Sequence, residues 1–255
     1  MINIVRQEDI IKSFDNGFSK TEILCNVDHP LVKTYSCTLK SGETVWPELI
    51  ADRMLFYCFI KGKGYIGCKN RAYNIDELSF FLPDFANEKY FIHAAEGEDL
   101  EYILFDVAML PSDWVAYEDT HFIAPWFKSF SNAEPYTQTC KGPNTKSYLV
   151  LPSRNFARIL CGVVIANGEG TKEKGHPEVD QWNITLDGAD FTLYVEDEEV
   201  HHNPFEVSYV KAGLDHGLVA DPGKKVSYIW FEHFVEERKI NVQDYEDNGK
   251  KYGHI

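Results

Sequence analysis

The sequence repeats itself at one fixed spacing, and this repeat constrains the fold more than any other feature of the chain. Leu39-Lys-Ser-Gly42-Glu43 is matched 126 residues later by Ile165-Ala-Asn-Gly168-Glu169. Further pairs have the same separation: Gly62 and Gly188, Gly97 and Gly223, Tyr102 and Tyr228, and Phe105 and Phe231. Several landmarks at one spacing are typical of a duplicated structural unit. The sequence therefore predicts two tandem copies of one unit, with small compensating insertions and deletions inside them.

Each copy is a series of short apolar runs separated by Gly, Asn and Asp turns, a pattern typical of all-β barrels and jelly rolls. In the second copy the run from Asp180 to Leu186 alternates between polar and apolar residues. Gln181, Asn183 and Thr185 should then share one face of a strand, because side chains alternate across a sheet. Such a polar row is either the solvated outside of a sheet or the lining of a cavity.

The second copy also concentrates imidazole, carboxylate and amide side chains at fixed spacing. Gly168 is followed by five residues, Lys174-Gly-His176, four residues, Gln181, six residues and Gly188. Some thirty residues later, Lys211-Ala-Gly-Leu-Asp-His216 adds another imidazole.

These spacings resemble the two motifs of the cupin family of small β-barrels. The first cupin motif is Gly, five residues, His-x-His, three or four residues, Glu, six residues and Gly. The second is Gly, five residues, Pro-x-Gly, two residues, His, three residues and Asn. The chain keeps the spacing of the first motif with two letters changed, and keeps the Gly and His of the second. The resemblance implies an all-β fold of two tandem, jelly-roll-type cupin barrels, a bicupin.

In cupins the motif histidines and the glutamate usually hold one metal ion, and the resemblance places these ligands at Lys174, His176, Gln181 and His216. Because a lysine ammonium has no lone pair, the expected metal ligands are His176, Gln181 and His216. Imidazole and amide oxygen suit a divalent Mn, Fe, Ni or Zn ion. A neighbouring cation would favour the neutral amine of Lys174, which makes it a candidate catalytic base. Glu178 is the second candidate catalytic residue, or a source of a replacement oxygen ligand.

The first copy lacks this set of residues. Positions 126 residues before the four motif places are Glu48, Ile50, Leu55 and Tyr90, and His93 lies near but out of phase. The first copy is therefore expected to be structural or to help build a dimer.

The repeat divides the chain into five expected segments: an N-terminal arm at 1–30, barrel 1 at 31–107, a connection at 108–155, barrel 2 at 156–235 and a tail at 236–255. The connection should pack on the barrels, because it carries six aromatic residues that a loose linker would leave exposed: Trp114, Tyr117, Phe122, Trp126, Phe127 and Phe130. The arm is expected to pack against barrel 2. His201 and His202 precede Asn203-Pro204, a turn pattern that predicts an exposed hairpin.

The amino-acid composition limits the kinds of molecule that the protein is expected to bind. The formal net charge of −15 disfavours nucleic acid, because neutralising phosphates drives that binding. It would also repel an anionic substrate unless the pocket is locally basic, which Lys174 and Lys211 could provide. No apolar run approaches the ~18 residues of a membrane span. The N-terminus lacks a signal-peptide pattern and the six cysteines include no Cys-x-x-Cys pair, so a cytoplasmic location is expected.

The sequence therefore predicts a metal-dependent bicupin enzyme acting on a small polar metabolite, of isomerase, lyase, aminohydrolase or dioxygenase type, with its site in the second barrel. The alternative is a non-catalytic cupin that binds a sugar or an organic acid and has lost its metal. A storage or scaffold role ranks third, because such a barrel has little reason to retain two imidazoles at the motif places. A homodimer is the expected assembly.

Overall fold

The computed structural model describes residues 2–137, 140–151, 158–173 and 175–236. Lys174, the expected catalytic base, and the tail from residue 237 onwards lie outside this part of the chain. The described residues divide into two compact units. The N-terminal unit consists of residues 8–110 and 121–133, and the C-terminal unit of the residues up to 7, residues 111–120 and the chain from 134 onwards.

Strands are numbered along the chain, so β1 (Asn3–Val5) comes first although it belongs to the C-terminal unit. The N-terminal unit contains β2 (Phe18–Ile23), β3 (Val32–Leu39), β4 (Thr44–Val45), β5 (Arg53–Lys61), β6 (Gly64–Cys68), β7 (Ala72–Ile75), β8 (Ser79–Leu82), β9 (Tyr90–Ala94), β10 (Leu100–Ala108) and β11 (Trp126–Ser129). They form an antiparallel six-stranded sheet in the order β11-β8-β5-β10-β3-β2 and a four-stranded sheet in the order β4-β9-β6-β7.

The C-terminal unit contains helix α1 and the remaining strands. They are α1 (Pro111–Asp119), β12 (Glu134–Tyr136), β13 (Lys146–Leu151), β14 (Ile159–Asn167), β15 (Gly170–Glu173), β16 (Val179–Thr185), β17 (Phe191–Val195), β18 (Glu198–His202), β19 (Val207–Val210), β20 (His216–Val219) and β21 (Lys225–Phe234). Short 3-10 turns lie at Gln7–Asp9 and Phe130–Asn132. The larger sheet has the order β1-β19-β16-β21-β14-β13-β12, and the smaller one β15-β20-β17-β18.

The two units share one topology, which confirms the all-β fold of two barrel copies. Five strands of the larger sheets correspond in order, β8-β5-β10-β3-β2 with β19-β16-β21-β14-β13, and the smaller sheets correspond strand for strand. Arg53 and Val179 begin equivalent strands, as do Tyr90 and His216, and each pair is 126 residues apart. Of the three extra strands, β11 and β1 add to the same edge, beside β8 and β19, and β12 adds to the opposite edge, beside β13.

The segments between the barrels are divided differently from the expected arm and connection. Of residues 1–30, β1 joins the C-terminal unit, whereas β2 is an edge strand of the N-terminal unit. Residues 121–133, inside the expected connection, belong to the N-terminal unit, where Phe127 stacks on Tyr73. Local edge pairing therefore decides where each segment packs. No helix in the described ranges is long and apolar enough to span a membrane.

A buried ion pair fixes α1 within the C-terminal unit. Arg158 donates from Nε to Asp113 Oδ1 of α1 at 2.9 Å and from Nη1 to the Phe234 carbonyl at 3.0 Å. Both charged side chains are almost fully buried. This pair links the helix to strand β21 and to the start of β14.

Candidate metal centre

Three side chains converge inside the C-terminal unit. Glu173 ends β15 and His216 begins β20, and the two residues are directly paired in the sheet. His176 lies in the loop after β15. The Nε2 atoms of His176 and His216 lie 3.7 and 3.9 Å from the same atom, Oε2 of Glu173. One ligand atom from each residue lies within 4.8 Å of the other two. Two imidazoles and one carboxylate therefore face a common point.

Backbone contacts hold both histidines in place. The Gly213 amide donates to the His176 carbonyl at 3.0 Å, and the Gly175 amide donates to Asp215 Oδ1 at 2.6 Å. A Cβ at residue 175 would lie 2.4 Å from the carbonyl oxygen of Gly213. Glycine at 175 therefore permits the close approach of the two loops that carry the histidines.

The orientation of His216 fits a metal ligand. Its Nδ1 lies 3.0 Å from the Leu214 carbonyl, which can accept only if Nδ1 carries the proton. Its Nε2 then has a free lone pair, and this atom is buried without a hydrogen-bond partner in the described part of the chain. A hydrogen bond from the ring nitrogen opposite the metal, which fixes the tautomer, is characteristic of metal-bound histidines. The donor set fits a divalent transition metal.

Electrostatics inside the barrel favour an ionised Glu173 beside a neutral His216. Burial alone would raise the pKa of the Glu173 carboxyl, but the nearby His176 and Lys141 outweigh it and the pKa lies below its usual value. Burial lowers the pKa of His216, and the Leu214 carbonyl opposes this shift only partly. The Glu173 carboxylate raises the pKa of His176. A cation between these groups would replace the proton that His176 attracts.

The other expected site residues are placed as follows. Gln181 is 6% exposed, and its Nε2 donates to Asn183 Oδ1 at 2.8 Å, which leaves its carbonyl oxygen as the candidate ligand. Gln181 lies on the inward face of β16, directly opposite Glu232 of β21. The side chain of Glu178 is exposed, and its catalytic role stays a prediction, as does that of Lys174.

Glu173 was not among the expected ligands. The cupin spacing points to position 174, one residue later, and the side chains of neighbouring strand residues point to opposite faces. The pairing of Glu173 with His216 shows that residue 173 is the one that faces the same side as His216. The sequence did contain a signal for this ligand: the carboxylate Glu173 stands immediately before Lys174, which is poorly suited to bind a metal.

Lys141 was also missed, because it lies in the segment expected to be a connection. Its backbone forms an isolated antiparallel bridge with Thr171, which brings it beside β15. Its Nζ donates to Ser147 Oγ at 3.1 Å and lies 5.4 Å from the centroid of the Tyr136 ring. Burial lowers the pKa of this ammonium, and the nearby Glu173 carboxylate partly offsets that shift. Lys211, one of the two lysines expected to make the pocket basic, is exposed.

The expectation of an exposed hairpin at His201 and His202 is wrong for His202. His201 is exposed, but His202 is fully buried. Its Nε2 lies 3.0 Å from Ser208 Oγ and its Nδ1 lies 3.2 Å from Glu206 Oε2. Glu206 also accepts from Arg6, just after β1, at 2.7 Å. The alternation along β18 turns His202 inward, where this polar network accommodates it.

The N-terminal unit has no comparable group of ligands among its described residues. At the positions equivalent to Gln181 and His216 it has Leu55 and Tyr90, both buried in the aromatic core. His93 instead lies in contact with Thr44, its Nδ1 2.9 Å from the hydroxyl.

Comparison with solved structures identifies similar folds over almost the whole chain. A Pseudomonas aeruginosa protein named for its induction by glyoxylate has a TM-score of 0.76 at 8% identity, covering 94% of this chain and 92% of that one. The oxalate decarboxylase of Lactobacillus farciminis, solved as a formate complex, has a TM-score of 0.65 at 12% identity and coverages of 95% and 89%. A cupin 2 conserved barrel domain protein from Leptotrichia buccalis has a TM-score of 0.61 at 17% identity and coverages of 90% and 95%.

No family model matches the sequence, and no curated protein matches it. At these identities the likeness shows the fold and leaves substrate and reaction to the chemistry of the site.

Proposed function

The chain has the bicupin fold, and from this premise we propose that it is a metal-dependent enzyme acting on a small polar metabolite in its C-terminal barrel. The observation that carries the proposal is the convergence of Glu173, His176 and His216 around one point, with the Nε2 of His216 buried and lacking a hydrogen bond among the described residues. Two histidines and one carboxylate leave coordination positions open for substrate. Gln181 is proposed as a further ligand.

A bound Mn, Fe, Ni or Zn ion would polarise a carboxylate, carbonyl or hydroxyl of the substrate. The chain supplies groups that can move a proton or orient the substrate. Glu232 lies on the inward face opposite Gln181, and its charge raises the pKa of His176. Lys141 lies near both Glu173 and Glu232, whose carboxylates favour its charged form. Glu232 is the candidate proton carrier, and Lys174 stays a second one.

The competing function is binding of a small organic acid without a metal. The partly buried Lys141 favours it, because an ammonium in the barrel attracts an anion whether or not a metal is present. A homodimer and a cytoplasmic location stay predictions.

Turnover after metal removal and restoration tests the proposal. The protein is stripped with a chelator, reloaded separately with Mn, Fe, Ni or Zn, and screened against small acids, amides and sugars. We expect turnover only in reloaded protein, and a loss of at least about 100-fold in Glu173→Gln, which removes the anionic ligand. Lys172→Gln, an exposed neighbour on β15, is the matched control and should retain activity. Turnover that survives both chelation and Glu173→Gln would contradict a metal-dependent reaction.

A further inference from the structure

The interior of the C-terminal barrel contains buried hydrogen-bond donors that lack acceptors in the described chain. Trp230 is 6% exposed, and its indole Nε1 is buried without a hydrogen bond. Asn183 is 3% exposed; its Oδ1 accepts from Gln181, whereas its Nδ2 has no partner among the described residues. Native proteins pair nearly all buried polar groups with protein, water or ligand. These two donors therefore point to a ligand.

The two donors lie next to each other on the inner wall of the C-terminal barrel. Asn183 and Trp230 are directly paired on β16 and β21, so both side chains face inward. The hydroxyl of Tyr136 lies close to the side chains of Trp230 and Ser147, but the indole Nε1 makes no hydrogen bond of normal geometry to it. Lys141 reaches the same place, because its Nζ contacts Ser147 and the Tyr136 ring. Lys141 thus adds a positive charge on the side of Trp230 that faces Tyr136.

A glycine fixes the position of the indole. A Cβ at Gly162 would lie 2.3 Å from the six-membered ring of Trp230. The indole ring of Trp230 therefore packs directly against the backbone of β14 at Gly162, where any larger residue would clash with it. This contact directs the indole across the sheet toward β13 and Tyr136, where Nε1 can meet the same ligand as Lys141.

The chemistry of this wall selects its ligand. Lysine and the indole of tryptophan are donors only, and Asn183 presents its donor side. The matching group has acceptors only, which describes a carboxylate, whereas the hydroxyls of a sugar and a neutral amide carry donors of their own. We infer that the substrate of the metal centre bears a carboxylate, held by Lys141 and Trp230 with Asn183 beside them.

The balance of charge favours a carboxylate over a phosphate dianion. A divalent metal ion and Lys141 supply three positive charges, and the carboxylates of Glu173 and Glu232 supply two negative ones. One positive charge remains, which a monocarboxylate neutralises. Lys141 also makes the pocket locally basic in a protein whose formal net charge is −15.

This inference rests on the proposed function for the position of the metal site. The contacts of the anion with Lys141 and Trp230 do not require a bound metal. The test is isothermal titration calorimetry of the full chain with glycolate, lactate and malate, each beside its neutral amide, and with inorganic phosphate. We expect at least one carboxylate to bind at least about tenfold more tightly than its amide and than phosphate. Lys141→Met and Trp230→Phe should each weaken that binding, the former by about tenfold or more.

Matched variants separate a local effect from misfolding. Lys141→Arg keeps the charge and should retain most of the affinity, and Lys146→Met, an exposed lysine on β13, should behave as wild type. Metal content measured on the same samples keeps the two proposals apart. Carboxylate binding that depends on Lys141, in a protein that takes up no metal from any of the four salts, would support this inference while the metalloenzyme proposal fails. The inference is overturned if the amides or phosphate bind as tightly as the carboxylates, or if Lys141→Met binds the carboxylates like wild type, even with metal present.

Discussion

The two barrels of this chain have the same strand framework and opposite interiors. In the N-terminal barrel, the position equivalent to His216 is Tyr90, whose hydroxyl pairs with that of Tyr57 at 2.7 Å within a closed aromatic cluster. In the C-terminal barrel, His216 faces Glu173 and His176, and buried donors nearby lack partners in the described chain. Each hydroxyl of the Tyr57–Tyr90 pair has the other as its partner inside the fold. Because buried polar groups are usually paired, this difference supports the proposal that the C-terminal barrel is the one that binds a ligand.

The largest expected difference between the barrels concerns their arginine–aspartate pairs. Arg158 and Asp113 of the C-terminal unit are 3% and 2% exposed, whereas Arg53 and Asp106 of the N-terminal unit are 27% and 9% exposed. Arg158→Met should lower the free energy of unfolding by about 3–5 kcal/mol, because it leaves Asp113 buried without its cation. Arg53→Met should cost about 1 kcal/mol. Urea denaturation of both variants checks the contrast, and equal losses would contradict the role given to burial.

The next difference is acid sensitivity in the C-terminal unit. Burial alone would raise the pKa of Glu206, but the neighbouring His202 and Arg6 outweigh it and lower the pKa to about 2, from an ordinary value of 4.5. Burial also lowers the pKa of His202 below 6.5. For both groups the unfolded chain binds protons first as pH falls. Stability is therefore lost below pH 6.5 through His202, and between pH 4.5 and about 2 through Glu206.

Urea denaturation at pH 7, 5.5 and 4 measures this loss, which should reach about 1–2 kcal/mol by pH 4. His202→Gln removes the titrating imidazole and should flatten the change between pH 7 and 5.5, whatever it does to stability at pH 7. An unaltered slope in His202→Gln would show that another group is responsible.

The smallest expected effect tests the closed interior of the N-terminal barrel. Tyr57→Phe or Tyr90→Phe leaves one buried hydroxyl unpaired and should cost about 1–2 kcal/mol, whereas the double variant removes both hydroxyls and should cost less than either single change. The same denaturation experiment, arranged as a double-mutant cycle, measures the coupling. Additive losses would mean that the two hydroxyls do not depend on each other.

Much of this contrast was predictable from the sequence. The spacing of 126 residues predicted two copies, and the same offset predicted that Tyr90 replaces His216. The alternation from Asp180 to Leu186 predicted that Gln181 and Asn183 share one face, which the hydrogen bond between them bears out. The sequence left open whether that face is solvated or lines a cavity, and the pairing opposite Glu232 and Trp230 shows that it faces inward. These features are local or periodic, so they can be read along the chain.

The missed features depend on contacts between distant segments. Lys141 reaches the site through its bridge to Thr171, thirty residues away, and a segment read as a connection gave no sign of it. His202 is buried in a network completed by Arg6, almost two hundred residues earlier in the chain. Glu173 was missed because the chain keeps the length of the cupin motif but not its ligand residue, so the spacing pointed to Lys174. Tertiary pairing decided each of these positions.

Elemental analysis tests the central claim most directly. The protein is purified without chelator or nickel resin, incubated with Mn, Fe, Ni and Zn salts in turn, and compared with His176→Ala, His216→Ala and, for the other barrel, Tyr90→Phe. We predict about one equivalent of transition metal in wild type and Tyr90→Phe, with loss in both histidine variants. Absence of metal from wild type, or full retention in the two histidine variants, would contradict a metal centre in the C-terminal barrel.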